Sequence, residues 1–93
     1  MGAFVVAFSD EAKKHLKKIK KSGRKIDLKK LDTFVKEVAV HPRMGIGHPE
    51  RMKHHVQETW SGEVNEKDRF VYEIYEDEML IVVKQVLGHY RDR

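Results

Sequence analysis

Arg69-Phe70-Val71-Tyr72-Glu73-Ile74-Tyr75, then Glu76-Asp77-Glu78, then Met79-Leu80-Ile81-Val82-Val83-Lys84-Gln85-Val86-Leu87 is the stretch that decides the fold. Its first seven residues mix β-branched and aromatic side chains, which suit a pleated and half-buried surface, and predict a strand. Three acidic residues follow and read as a charged turn. The run 79–87 is apolar apart from Lys84 and Gln85, which predicts a central strand covered on both faces.

Moving toward the N-terminus, Trp60 to Asn65 and, more weakly, Met52 to Val56 read as further strands. Residues 43–52 have two glycines, one proline and no sustained period, so they read as a loop. Earlier still the period changes to helical. Ala12, Leu16 and Ile19 share one face, after Ser9 as an N-cap and with Asp10 and Glu11 where the helix dipole favours carboxylates. Gly23 can end that helix in a left-handed cap. Asp27 is expected to start a second helix with the stripe Leu28, Leu31, Phe34, Val35 and Val38, and Pro42 lies beyond its end. Ala3 to Phe8 precedes both helices as a first strand. The order β-α-α-β-β-β predicts an α+β fold: an antiparallel sheet with a helical hairpin packed on one face.

Ninety-three residues allow one domain, taken as 1–93. With no cysteine there is neither a disulfide framework nor a thiolate metal site, which fits a cytoplasmic protein. No apolar run approaches the roughly 18 residues of a membrane span, and the apolar start lacks the positive region of a signal peptide. Lys13, Lys14, Lys17, Lys18, Lys20, Lys21, Arg24, Lys25, Lys29 and Lys30 crowd one segment against Glu11 and Asp27. Such a block either solvates a helix face or attracts a polyanion, nucleic acid or acidic protein.

The residues with chemical potential lie in the second half. Histidine moves protons near neutral pH, and His89 follows Gly88 at the end of the last strand, with Tyr90 beside it to bond a phosphate or stack on a base. The hairpin folds Arg69 back near residues 84–86, so Arg69 and His89 fall at one end of the sheet. A one-residue slip decides whether they share a face. Arg69 could equally pair with Asp68 or Glu66 on the surface. Glu50 follows Pro49 in the glycine-containing loop, where Gly45 and Gly47 permit close backbone approach and Arg51, Lys53 and His54 add positive charge. It is either a solvated loop carboxylate or a general base. Trp60 is a packing residue or a stacking platform. No His, Asp or Glu cluster has metal-ligand spacing, so no metal and no cofactor are expected.

Gly45-x-Gly47-x-Pro49-Glu50-x-Met52-Lys53-His54, then Trp60-Ser61, Arg69-Phe70-Val71-Tyr72 and the terminal His89-Tyr90 together resemble the YoeB branch of the RelE/ParE toxin superfamily. The resemblance runs from about Gly45 to Tyr90. It implies a RelE-like fold and a toxin–antitoxin endoribonuclease that cleaves mRNA in the ribosomal A site, neutralised by a YefM/Phd-like antitoxin. It also implies a homodimer or a toxin–antitoxin hetero-oligomer. Glu50 would be the base at the ribose 2′-OH, Arg69 the clamp on the phosphorane, His89 the acid at the leaving 5′ oxygen, and Tyr90 an orienting group. Lys53 or Lys67 would give a further phosphate contact, with His54 and Trp60 near the substrate. An internal 2′-OH nucleophile needs no metal.

Two positions depart from the family pattern. Gly62-Glu63 stands where a basic pair is usual, and Asp68 where histidine is common, placing a carboxylate beside Arg69. These departures keep open a non-catalytic module on the same fold that binds antitoxin or RNA. Two further readings remain: an unrelated basic RNA-binding domain, and a ParE-like toxin acting on a protein such as gyrase, a branch that generally lacks the Glu–Arg–His set.

Overall fold

A computed structural model describes residues 3–45 and 47–88. The elements are β1 (Val5–Phe8), α1 (Asp10–Lys21), α2 (Lys25–Val40), β2 (Glu50–Arg51), β3 (Thr59–Glu63), β4 (Arg69–Tyr75), a 3-10 turn (Glu76–Glu78) and β5 (Leu80–Gln85). They form one five-stranded sheet in the order β1-β5-β4-β3-β2. The α+β class, the helical hairpin and the order of elements are those expected. The sheet is mixed rather than wholly antiparallel, because the hairpin carries the chain across so that β1 pairs in parallel with β5, Val5 opposite Leu80.

Local chemistry sets the helices. The Ser9 hydroxyl accepts from Ala12 N–H at 3.1 Å, Asp10 and Glu11 occupy the first turn of α1, and Lys18, Lys20 and Lys21 occupy its last. Helix α2 begins at Lys25, two residues before the expected Asp27, with Leu28 N–H bonded to the Arg24 carbonyl. Asp27 therefore sits in the first turn, where it pairs with Arg24 at 3.5 Å and accepts from Asn65 at 3.1 Å. The weak strand expected at Met52–Val56 is absent. Its place is taken by the two-residue β2, because His54 adopts a left-handed φ of 62° that an extended strand cannot hold.

Side-chain alternation assigns the two faces. Phe70, Tyr72 and Ile74 of β4 and Ile81 and Val83 of β5 turn toward Ala12, Ile19, Leu31, Phe34 and Val38 of the helices and form the core. Phe34 and Phe70 stack with centroids 4.9 Å apart and planes 15° from parallel. The middle strand is β4 rather than β5, and on β5 the residues between the core positions, Leu80 and Val82, are only half-buried. On the outer face, Thr59, Ser61 and Val71 are buried while Leu80 and Val82 stay partly exposed.

Candidate functional site

Directly opposed residues on antiparallel strands share a face. Glu50 opposes Ser61, Ser61 opposes Val71, and Glu63 opposes Arg69. Glu50, Glu63 and Arg69 therefore all project from the sheet face away from the helices. Arg69 Nη2 lies 3.8 Å from Glu50 Oε1 and its Nη1 lies 3.9 Å from Glu63 Oε2. Arg69 is three-quarters covered while both carboxylates are mostly exposed. These three side chains border an open cleft of about 540 Å³, completed by Arg43, Met44, Gly45, Gly47, His48 and Pro49.

The loop reaches that position because of what lies under it. A Cβ on Gly47 would collide with the Phe34 ring, and a Cβ on Gly62 would come within 3.0 Å of the same ring. Both glycines bring backbone down onto Phe34, and Glu63 N–H then bonds to the Gly47 carbonyl at 3.0 Å. The close approach expected of Gly47 is thus made to the protein's own core. His48 turns the chain at φ 49°, and Pro49 and Glu50 follow onto the sheet edge. A phenylalanine on α2 in this way sets the height of the Glu50 carboxylate above the sheet.

The rim behind the loop is an ionic knot that sequence reasoning missed. Arg43 donates through Nε and Nη2 to Glu58 at 2.8 and 3.0 Å, and also to Glu76. Its guanidinium holds the Glu58 carboxyl below the usual carboxylate range, with a further bond from the Trp60 indole N–H at 2.7 Å. Tyr72, buried beneath, donates to the Pro42 carbonyl at 2.6 Å, and burial pushes its phenol well above the ordinary value. A basic residue next to Pro42 and a glutamate near Trp60 were visible in the sequence, but nothing in their spacing linked them.

The expected substrate-contact residues are not gathered here. Trp60 packs on the core with its N–H taken by Glu58, the packing alternative of its two readings. Lys53 and His54 are exposed in the turns after β2, and Lys67 is exposed in the β3–β4 connection with its N–H on Asn65 Oδ1; none of them lines the cleft. His89 and Tyr90 lie outside the described residues. Arg69 pairs with neither Asp68 nor Glu66, as its surface reading had it, but with Glu50 and Glu63. Asp68 turns inward instead, 8% exposed, and meets Arg24 and Asn65 at 3.0 Å each and Gly88 N–H at 2.8 Å. Burial alone would raise its pKa; the bonds from Gly88, Asn65 and Arg24 outweigh it and leave the carboxyl below its ordinary value.

Comparison with known proteins adds to this geometry. A family model for the YoeB-like toxin of bacterial type II toxin-antitoxin systems matches residues 8–90. Toxin YoeB of Synechocystis is 36% identical over 55 residues, covering 59% of this chain and 64% of that relative. The match therefore spans less than two thirds of that relative's own length. Among solved structures, a YoeB/ParE toxin from Agrobacterium tumefaciens superposes with a TM-score of 0.85 at 20% identity, over 94% of this chain and all of that one. At that identity the likeness is one of fold. YoeB of Staphylococcus aureus superposes at 25% identity, as a dimer with a TM-score of 0.77 over 95% of this chain and 99% of that one. In complex with YefM its TM-score is 0.76, over 94% and 98%.

Proposed function

The chain belongs to the YoeB-like toxins of bacterial type II toxin–antitoxin systems, and we propose that it is an endoribonuclease that cuts mRNA in the ribosomal A site by an internal 2′-OH attack. The observation that supports this reading is the pairing of Glu50 with Arg69 on the sheet face away from the helices, 3.8 Å apart at the edge of an open cleft. Glu50 takes the proton from the ribose 2′-OH, the O2′–P bond forms, and Arg69 stabilises the charge that gathers on the phosphorane. The P–O5′ bond breaks as His89 gives its proton to the leaving oxygen. The products are a 2′,3′-cyclic phosphate and a 5′-hydroxyl. The roles of His89 and of Tyr90, as an orienting group, rest on the family resemblance. The proposed partner is a YefM-like antitoxin whose acidic segment meets the lysine-rich hairpin, in a hetero-oligomer or with the chain as a homodimer. The proposed site of action is cytoplasmic.

Toeprinting on translating ribosomes tests the activity. Cuts within the A-site codon are expected, with 5′ fragments ending in cyclic phosphate or 3′-phosphate, and EDTA is expected not to abolish cleavage of RNA by the free enzyme. His89→Gln and Arg69→Ala are expected to slow single-turnover cleavage by roughly 100-fold or more. A 3′-hydroxyl product rejects the internal nucleophile.

A second reading has its own observation. Arg69 stands between two carboxylates, Glu50 and Glu63, so a phosphate that approaches its guanidinium also meets two anions. A module that binds antitoxin or RNA without cutting fits that balance. Growth arrest on expression alone separates the two readings, since only the nuclease produces it.

A further inference from the structure

Asp68 occupies a place in the fold that its neighbour Arg69 makes consequential. Arg69 N–H donates to the Gly88 carbonyl at 3.1 Å, and Gly88 N–H donates to Asp68 Oδ1 at 2.8 Å. Asp68, just before β4, and Arg69, its first residue, therefore grip both polar groups of one glycine just past the end of β5. Gly88 is at φ +84°, a left-handed conformation that a glycine adopts without strain, and Gln85 Nε2 adds a second bond to its carbonyl at 3.1 Å.

The grip is itself held. Asp68 Oδ2 accepts from Arg24 and from Asn65, both at 3.0 Å, and Arg24 also reaches Asp27 on α2. Asn65 Oδ1 takes the N–H groups of Lys67 and Asp68, both at 2.8 Å, while the Asp68 carbonyl takes Val64 N–H at 3.0 Å. The β3–β4 turn is thus closed around Asp68, and the junction of the two helices is tied to it. The next residue after Gly88 is His89.

We infer that Asp68 is a positioning residue: its carboxylate clamps the Gly88 backbone against β4 and so fixes where the chain carrying His89 leaves the sheet beside Arg69. The inference rests on the nuclease reading for its effect on rate, and on hydrogen bonding alone for the clamp. Arg24 and Asn65 occupy the other carboxylate oxygen, Oδ2, and leave Oδ1 to Gly88. The carboxylate beside Arg69 in sequence therefore faces away from it.

The test compares Asp68→Ala with Arg24→Gln in the purified full chain. Both lose the Arg24–Asp68 ion pair and both are expected to lower the melting temperature, but only Asp68→Ala leaves Gly88 N–H without its acceptor. Single-turnover cleavage at saturating RNA is expected to fall about 100-fold in Asp68→Ala, as when a reacting group is displaced by about 1 Å, and to stay near wild type in Arg24→Gln. RNA affinity is expected to be unchanged in Asp68→Ala. A second readout needs no activity: the Gly88 amide is expected to be protected from hydrogen exchange in the wild type and in Arg24→Gln, and released in Asp68→Ala. Equal rate losses in the two variants overturn the inference. So does a wild-type Gly88 amide that exchanges as fast as an unprotected one, a result that stands even if Asp68→Ala does not fold. A chain that cuts no RNA yet frees Gly88 only in Asp68→Ala upholds the clamp and rejects the nuclease reading.

Discussion

If the proposed nuclease reading holds, Glu63→Gln is expected to raise the cleavage rate, and the gain can be worked from the cleft. Glu63 Oε2 lies 3.9 Å from Arg69 Nη1, with its side chain half exposed. Two unit charges at that separation interact by about 1 kcal/mol in a water-like dielectric. Salt with a Debye length of about 8 Å reduces that by roughly a third. The surviving ~0.7 kcal/mol corresponds to about a threefold change in equilibrium or rate. Glu63 withholds that much of Arg69 from a phosphate and also repels the phosphate itself, so removing its charge helps on both counts. The benefit grows as charge accumulates in the transition state, which places it in kcat/KM. Glu63→Lys doubles the change in charge and is expected to give about a tenfold gain at physiological salt, with a larger salt dependence from the added phosphate contact. The assay is single-turnover cleavage of mRNA on programmed ribosomes at two salt concentrations. A Glu63→Gln variant that cleaves more slowly than the wild type refutes the reasoning. If Glu50→Gln also retains activity, the base is Glu63 and the roles assigned to the two carboxylates exchange.

Gly47→Ala drives a methyl group into the Phe34 ring; it is expected to cost about 1–3 kcal/mol in denaturant unfolding and to lower cleavage by lifting Glu50 with the loop, while far-UV dichroism is unchanged. Asp68 has a folded-state pKa below its unfolded value, so the stability it adds is complete above about pH 3.9 and is lost as pH falls through the folded value. The unfolding free-energy gap between the wild type and Asp68→Asn is therefore expected to be constant from neutral pH down to about 4 and to shrink below it, as read by urea titrations. Charge reversal at the exposed residues Lys17, Lys18 and Lys21 of α1 is expected to weaken ribosome association and flatten its salt dependence, by about one unit per phosphate contact, with turnover at saturation unchanged because Glu50 and Arg69 stand on the opposite face of the sheet.

The fold was legible wherever a residue's local preference agreed with its burial. Arg69–Tyr75 was read to the residue because its alternation and its composition point the same way, and Ser9 announced α1 because a serine before two acids has few better uses. The parallel pairing of β1 with β5 was hidden. Strand direction depends on where the crossing helices land, and no property of Val5–Phe8 encodes that. The strand expected at Met52–Val56 failed for a backbone reason: His54 takes a left-handed conformation that alternation cannot reveal. The central placing of β5 failed because an apolar run shows that a strand lies inside the sheet, not how many strands lie on either side.

The site was legible by type and only partly by place. Glu50 and Arg69 were singled out from different segments, and strand register brings them together; no single segment contains that fact. Asp68 shows why proximity in sequence misleads. Adjacent residues on a strand point to opposite faces, so an aspartate next to an arginine is poorly placed to pair with it. Asp68 instead faces the helix junction, where Arg24 satisfies it, and Arg69 is left to partners opposite it in the sheet. The same alternation explains Glu63. Opposite Arg69 and on its face, it reaches the cleft, whereas Gly62 beside it turns toward Phe34 and lets the loop settle. One half of the departure from the family's basic pair is thus a packing choice that seats Glu50. The other half sets a carboxylate against Arg69, the proposed phosphate clamp, and its cost is what Glu63→Gln measures.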